Sequence, residues 1–261
     1  MNAAIESKAT RETVTDIRRW NERLITFRIT RPAGYSFVPG QYSRLGLPGE
    51  DGAMIWRAYS ITSGPDEDTL EYYGIIVPNG LFTTQMQKLK VGDEVWLEKN
   101  LYGFMTADRF TDGEELWMFA TGTGIGPFIS ILRDPAAWQR FSRLVLVHGV
   151  RHAEELSYAD ELRALRDAPP AGAKAALTLL QAVTREDAAG DAQRLHGRIT
   201  TLLENGELER AAGLPLTLDH SRIMLCGNPD MIEDMRKLLH ARGMRPCRRM
   251  KPGHFVTENY W

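Results

Sequence analysis

Through the first 105 positions, short apolar stretches are broken by polar, turn-forming residues, the pattern of short strands separated by turns. Segments 24–29, 41–45, 72–77 and 94–98 are rich in β-branched and aromatic residues, and each is predicted to be a strand. Between them stand Pro39-Gly40, Pro48-Gly49, Gly64-Pro65, Asn79-Gly80 and Val91-Gly92-Asp93, all pairs and triplets that favour turns. Closely spaced strands with this punctuation predict a small antiparallel β-barrel. The second half changes period. Apolar runs at 116–120, 144–148, 177–183 and 222–226 alternate with helical patterns near 128–133, 153–167, 198–205 and 229–242. That alternation predicts an α/β domain, a parallel sheet covered by helices on both faces. The polar stretch 108–115, with Asp112-Gly113, is the expected boundary, dividing the chain into 1–107 and 108–261. Segments 168–175 and 187–193 read as surface loops, and no internal repeat is visible.

A chain of 261 residues fits one large or two modest domains. Hydrophobic residues at 43% and charged residues at 25% sit near the globular average, which excludes wholesale disorder. The 32 basic and 34 acidic side chains leave a net charge of -2, without the basic excess that non-specific nucleic-acid binding requires. No apolar run approaches the ~18 residues of a membrane span, and the first residues lack an apolar signal core. Two cysteines, Cys226 and Cys247, are too few for a disulfide scaffold or a cysteine-bound cluster. The expectation is a cytoplasmic protein with no membrane or nucleic-acid partner and no metal.

Chemistry gathers at four places. The run 116–120 leads into Thr121-Gly122-Thr123-Gly124-Ile125-Gly126-Pro127 and then an apolar helix start. A glycine-rich turn between strand and helix lets backbone N–H groups approach a pyrophosphate, and Pro127 suits the first helical position. A tight strand-to-helix connection without a ligand satisfies the same letters. Arg57-Ala58-Tyr59-Ser60 supplies a cation, a flat ring and a hydroxyl within four residues, with Arg57 and Tyr59 on one face of an extended strand. Cys226-Gly227-Asn228-Pro229 is a second strand–turn–helix junction. The sequence ends in Glu258-Asn259-Tyr260-Trp261.

Together with Asn79-Gly80-Leu81-Phe82-Thr83, Leu156-Ser157-Tyr158 and Gly197-Arg198-Ile199, these motifs make the sequence resemble the ferredoxin/flavodoxin–NADP reductases. The likeness is greatest to the bacterial branch whose chains end in Tyr-Trp. The resemblance implies a barrel that carries FAD and a second domain that binds NADP(H). It implies hydride delivery to flavin N5 and electron exchange with ferredoxin or flavodoxin. By the same resemblance Arg57 binds the flavin pyrophosphate and Tyr59 packs on the isoalloxazine. Ala58, Ser60, Tyr73, Leu81, Phe82, Thr83, Thr123, Tyr260 and Trp261 complete the FAD site. Ser60, Cys226, Glu258 and Tyr260 form the catalytic set, with Tyr260 covering the isoalloxazine face that the nicotinamide must occupy. Trp261 lies near the adenine. Thr123, Gly124, Val150, Arg151, Thr184, Arg185, Arg198, Gly227 and Asn228 are the NADP(H) positions.

The choice of NADP over NAD also follows from charge. NAD sites place a carboxylate after the second strand of such a sheet, whereas NADP sites place arginine for the 2′-phosphate. Here Gly149-Val150-Arg151 follows that strand, with no carboxylate before Glu154. Arg185 and Arg198 match family positions for the same phosphate, although Glu186 and Asp187 stand ready to neutralise Arg185. Residues 236–251 hold seven Lys/Arg and no Asp or Glu. That stretch is either a steering patch for an acidic carrier or a solvated helix end whose cations complement the dipole. Two other functional readings fit the sequence: a stand-alone reductase component of an oxygenase system, and a nucleotide-binding module without turnover. A monomer satisfies each of them.

Overall fold

A computed structural model describes residues 5–186, 194–248 and 251–259. The first six strands, β1 (Ala9–Arg19), β2 (Leu24–Thr30), β3 (Tyr42–Pro48), β4 (Met54–Ser60), β5 (Thr69–Ile75) and β6 (Glu94–Glu98), form an antiparallel sheet in the order β4-β3-β6-β1-β2-β5. The sheet curls until Ile61, just beyond β4, bridges Tyr72 of β5. Val14, Phe27, Leu45, Leu70, Tyr72 and Val95 fill its interior. The expected barrel is therefore present. The helix α1 (Leu81–Lys88) packs beside it and turns its Phe82 and Met86 into the same core.

The remaining strands, β7 (Glu115–Thr121), β8 (Arg143–Val150), β9 (Ala176–Val183), β10 (Leu195–His196), β11 (Ser221–Gly227) and β12 (Phe255–Asn259), pair in parallel in the order β10-β9-β8-β7-β11-β12. Side chains along β8 alternate between two cores. Leu144 and Leu146 face the helices α2 (Gly126–Leu132), α3 (Pro135–Arg140) and α4 (Ala159–Asp167), whereas Val145 and Val147 face α5 (Ile199–Glu204), α6 (Glu207–Ala212) and α7 (Pro229–Ala241). Burial on both faces explains why these strands read as unbroken apolar runs.

Several elements depart from the sequence expectation. β1 carries five charged residues in eleven, yet its backbone pairs with both β2 and β6 and its Glu12 is buried. The expected helix over 153–167 is a single 3-10 turn at Ala153–Glu155 followed by α4, because Tyr158 adopts a left-handed conformation at φ 62°. The segments α1, α3 and α6, and the edge strand β12, had no periodicity long enough to predict them. Residues 168–175 form a connection without regular structure, and 187–193 lie outside the described residues.

The two sheets meet through the outer faces of β2 and β5. Cross-strand pairs there run from Leu24/Ile75 through Thr26/Tyr73 to Arg28/Glu71, an apolar-to-ionic gradient along one surface. At this seam Tyr73 donates its hydroxyl to Ser157 Oγ at 2.9 Å, and the Ser130 hydroxyl donates to the Ser63 carbonyl at 2.7 Å.

Candidate active site

Two clefts open where the sheets meet. The larger, about 1020 Å³, is walled on the barrel side by Arg57, Ala58, Tyr59, Ser60, Tyr73, Leu81, Phe82 and Thr83, and on the other by Thr123, Thr257, Glu258 and Asn259. The smaller, about 320 Å³, is lined by Thr123, Val150, Arg151, Thr184, Arg198 and Asn228. Ile75 and Thr123 line both, so the clefts share a wall. Most of the sequence-predicted positions thus converge on one continuous groove.

On the barrel side, Tyr59 is buried with its ring 5.4 Å from that of Phe82 and lies against the backbone of Gly74. A Cβ at Gly74 would stand 2.8 Å from the Tyr59 ring, so the glycine is required for the ring's position. Ser60 is buried beside it. Arg57 is exposed and makes no ion pair among the described residues; its one hydrogen bond goes to the Trp56 carbonyl at 3.0 Å. The α1 helix begins at Gly80 without a side-chain cap, leaving its first amides available at the cleft wall, where an anion is favoured. The Thr83 hydroxyl fastens that turn, accepting from Val77 N at 3.2 Å and lying 3.0 Å from the Val77 carbonyl.

Across the groove, the glycine-rich turn is seated by two close backbone approaches. A Cβ on Gly124 would come within 2.5 Å of the Cys226 carbonyl oxygen, and one on Gly227, at φ 130°, would collide with Thr121 Oγ1. Both glycines therefore act through backbone packing and line neither cleft. Asn228 donates its backbone N–H to Thr121 Oγ1 at 2.8 Å, and its side chain caps α7 by accepting from Asp230 N and Met231 N. Cys226 is wholly buried in the core and also lines neither cleft; burial holds its thiol well above the usual range, which makes it an inert shape-setting group.

Three arginines were expected around one phosphate. Arg151 and Arg198 line the smaller cleft and Arg185 does not, although the Arg185 N–H donates to the Arg151 carbonyl at 2.9 Å. Glu186 does not neutralise Arg185. Its carboxylate accepts from the Ala153 N–H and lies 3.6 Å from His152. Asp187 lies outside the described residues. The basic stretch near the C-terminus is partly committed: Lys237 pairs with Glu233 and Asp234, and Arg242 with Glu209. Arg236 lines the larger cleft. Tyr260 and Trp261 lie outside the described residues and follow directly on Asn259 at the cleft wall.

Burial also shifts a carboxyl and an imidazole beside the groove. Burial alone pushes the Glu258 carboxyl up to about 7, and a side chain at Gly103 would stand 3.1 Å from its Oε2. His148, which the sequence reading passed over as the end of an apolar run, is buried and held down to about 4, mainly by desolvation. Its Nε2 lies 3.0 Å from the Gly122 carbonyl, directly beneath the glycine-rich turn.

A curled barrel joined to a parallel nucleotide-binding sheet, with a shared groove between them, defines a two-lobed oxidoreductase. The oxidoreductase NAD-binding domain profile accordingly matches residues 118–237. A flavodoxin/ferredoxin–NADP reductase from Shigella flexneri is 41% identical over 249 residues, covering 95% of this chain and 97% of the relative. A ferredoxin–NADP reductase from Pseudomonas aeruginosa is 37% identical, with 95% of each chain covered. A solved ferredoxin NADP+ reductase from Neisseria gonorrhoeae with bound FAD and NADP superposes with a TM-score of 0.89 at 38% identity, covering 97% of this chain and 98% of that one. The chain belongs to the flavodoxin/ferredoxin–NADP reductase family.

Proposed function

We propose that this chain binds FAD in the larger cleft and NADP(H) in the smaller, and exchanges electrons between NADP(H) and a ferredoxin or flavodoxin. The observation that carries this reading is the shared wall: Thr123 and Ile75 border both clefts, so a flat ring in one abuts a ring entering from the other. The larger cleft suits the group. Its volume of about 1020 Å³ reaches the top of the ~300–1,000 Å³ range of small-molecule pockets, as a dinucleotide requires. It also presents the Arg57 guanidinium, which has no ion pair among the described residues, uncapped amides at Leu81 and Phe82, and the Tyr59 ring beside Gly74. When bound, FAD supplies the interconversion of an electron pair with single electrons.

The chain's own residues bind, orient and exclude water. Arg57 and the first amides of α1 hold the pyrophosphate, Tyr59 and Tyr73 wall the rings, and Ser60 supplies a buried hydroxyl at their edge. Glu258, with its carboxyl near 7, holds a proton at the cleft floor in the neutral range. Arg151 and Arg198, which line the smaller cleft, receive the 2′-phosphate of NADP(H) by charge-assisted bonds that NADH cannot return. Tyr260 covers the ring face until the nicotinamide displaces it, and Trp261 stacks at the adenine. In this reading residues 1–107 carry FAD and 108–261 carry NADP(H), with the C-terminal tail returning to the flavin. The protein acts in the cytoplasm as a monomer, and no described helix is long and apolar enough to cross a membrane.

The test is direct. Purified protein is expected to be yellow and to release FAD on denaturation, and the bound flavin is expected to be bleached by NADPH in preference to NADH. Protein that stays colourless after incubation with FAD would end the reading.

A further inference from the structure

At the far end of the lobe interface from the clefts lies a buried charge network that no step above uses. Arg133 caps α2, the helix that grows out of the glycine-rich turn, and its side chain is 11% exposed. Its Nε and Nη2 donate to the two Glu161 oxygens at 2.7 and 3.0 Å, within its own lobe. Its Nη1 crosses to the barrel, donating to Glu71 Oε1 at 3.0 Å and to the Thr62 carbonyl at 3.1 Å. Glu71 is 3% exposed and also accepts from Arg28 at 2.7 Å. A relay of hydroxyls ends on the same oxygen: Trp20 Nε1 donates to Thr26 Oγ1 at 2.8 Å, Thr26 meets Tyr158 Oη at 2.8 Å, and Tyr158 donates to Glu71 Oε1 at 3.0 Å. Tyr158 is the residue forced into left-handed backbone, a conformation that persists only where surrounding contacts over-determine it.

The placement says what this network does. Glu71, Tyr73 and Ile75 lie on one face of β5, and Ile75 borders both clefts. Four residues of strand, ~13 Å at about 3.3 Å per residue, separate the ionic end from the cleft end. At the cleft end Leu24 and Ile75 offer apolar contact, which is non-directional. The cross-lobe bonds near them, Tyr73 to Ser157 Oγ at 2.9 Å and Asn21 to the Glu154 carbonyl at 3.2 Å, are single and uncharged. The bonds at the Glu71 end are the buried, charge-assisted ones, so they contribute most to fixing one lobe's angle on the other.

We propose that Glu71 and Arg133 are a positioning pair for the reaction, fixing the glycine-rich turn with Thr123 against the strand that carries Tyr73 and Ile75. The proposal rests on the functional reading above. Arg133→Met removes every Arg133 bond to the barrel, whereas Glu71→Gln weakens the link and leaves Arg133 with the Thr62 carbonyl and with Glu67 Oε1 at 3.4 Å. Because Arg133 keeps Glu161, and Glu71 keeps Arg28, neither change leaves a lone buried charge. Glu71→Gln and Arg133→Met are therefore suitable variants, with Arg28→Met, which cuts only a bond inside the barrel lobe, as control.

Two measurements decide it. In protein free of nucleotide, amide hydrogen exchange of residues 122–132 is expected to speed about tenfold in Glu71→Gln and Arg133→Met, with residues 221–227 unchanged. In FAD-loaded protein, the rate of flavin reduction at saturating NADPH is expected to fall about tenfold to a hundredfold, while NADP+ dissociation constants stay within about twofold. Arg28→Met is expected to match the wild type in both. Unchanged exchange in both cross-lobe variants overturns the proposal whatever the enzyme does. A lowered melting temperature with an unchanged reduction rate also overturns it, reducing the pair to a structural ion pair. Failure of wild-type protein to be reduced by NADPH would refute the functional reading instead, and the exchange experiment would still judge the pair.

Discussion

His148 Nε2 lies 3.0 Å from the carbonyl oxygen of Gly122, and that bond ties the floor of the parallel sheet to the glycine-rich turn above it. A carbonyl only accepts, so Nε2 carries the proton and Nδ1 does not. Gly122 has φ 53°, and the imidazole beneath holds its peptide in place. His148→Leu removes this bond, which costs about 0.5–1.5 kcal/mol. It is expected to raise KM for NADPH about tenfold through the displaced turn. His148→Gln, which keeps a donor, is expected to recover most of both losses. Steady-state kinetics alongside thermal melting checks this.

The same histidine and Glu258 give stability opposite pH dependences. His148 falls from 6.5 to about 4 on folding, so the unfolded chain binds the extra proton and stability is lost as pH drops from 6.5 toward 4. Glu258 rises from 4.5 to about 7, so the folded chain binds the extra proton and stability is lost as pH climbs from 4.5 through 7. Each shift corresponds to about 3 kcal/mol, and over their common window the two nearly cancel. Glu258→Gln is expected to gain stability over wild type at pH 8 and little at pH 5. His148→Gln is expected to flatten the acid limb. Denaturant midpoints between pH 4 and 8 supply the measurement.

Pyridine-nucleotide choice tests the cleft's cations. Arg151 lines the smaller cleft and pairs with no carboxylate side chain among the described residues, although its N–H is held by Glu155 Oε2 at 2.9 Å. Arg151→Ala is expected to lower kcat/KM for NADPH about tenfold to a hundredfold, a loss of about 1.4–3 kcal/mol, with NADH nearly unaffected. Equal losses for both nucleotides would place Arg151 outside the 2′-phosphate site.

Gly74 separates shape from charge in the larger cleft. A methyl there would press the Tyr59 ring, 2.8 Å away, and Met86 Cε, 3.2 Å away. Gly74→Ala is expected to weaken FAD binding about tenfold, read by flavin fluorescence on titration, while leaving NADP+ affinity of the reconstituted protein unchanged.

Much of this was legible in the chain because it depends on local grammar. The unbroken apolar runs of β7, β8, β9 and β11, and the glycine-rich turn, carry their own periodicity and turn chemistry. Arg57, Tyr59 and Ser60 could be grouped because a strand places them within one stretch of the cleft wall. β1 escaped because its charged residues obscure a strand whose pairing partners lie elsewhere in the sequence. The Glu71–Arg133 contact spans 62 residues and two lobes, and nothing local in either neighbourhood marks it. His148 and Cys226 sit at comparable strand ends, yet only the tertiary structure shows that one supports a turn and the other fills core.

The most direct test of the central claim is an anaerobic electron count. FAD-loaded protein is mixed with a limiting amount of NADPH in the presence of excess oxidised ferredoxin or flavodoxin, and reduced carrier is quantified by its absorbance. The account predicts two one-electron-reduced carriers for each NADPH consumed, with the bound flavin returning to its oxidised spectrum. Consumption of NADPH with no carrier reduced, or carrier reduction that persists after FAD is removed, would contradict it.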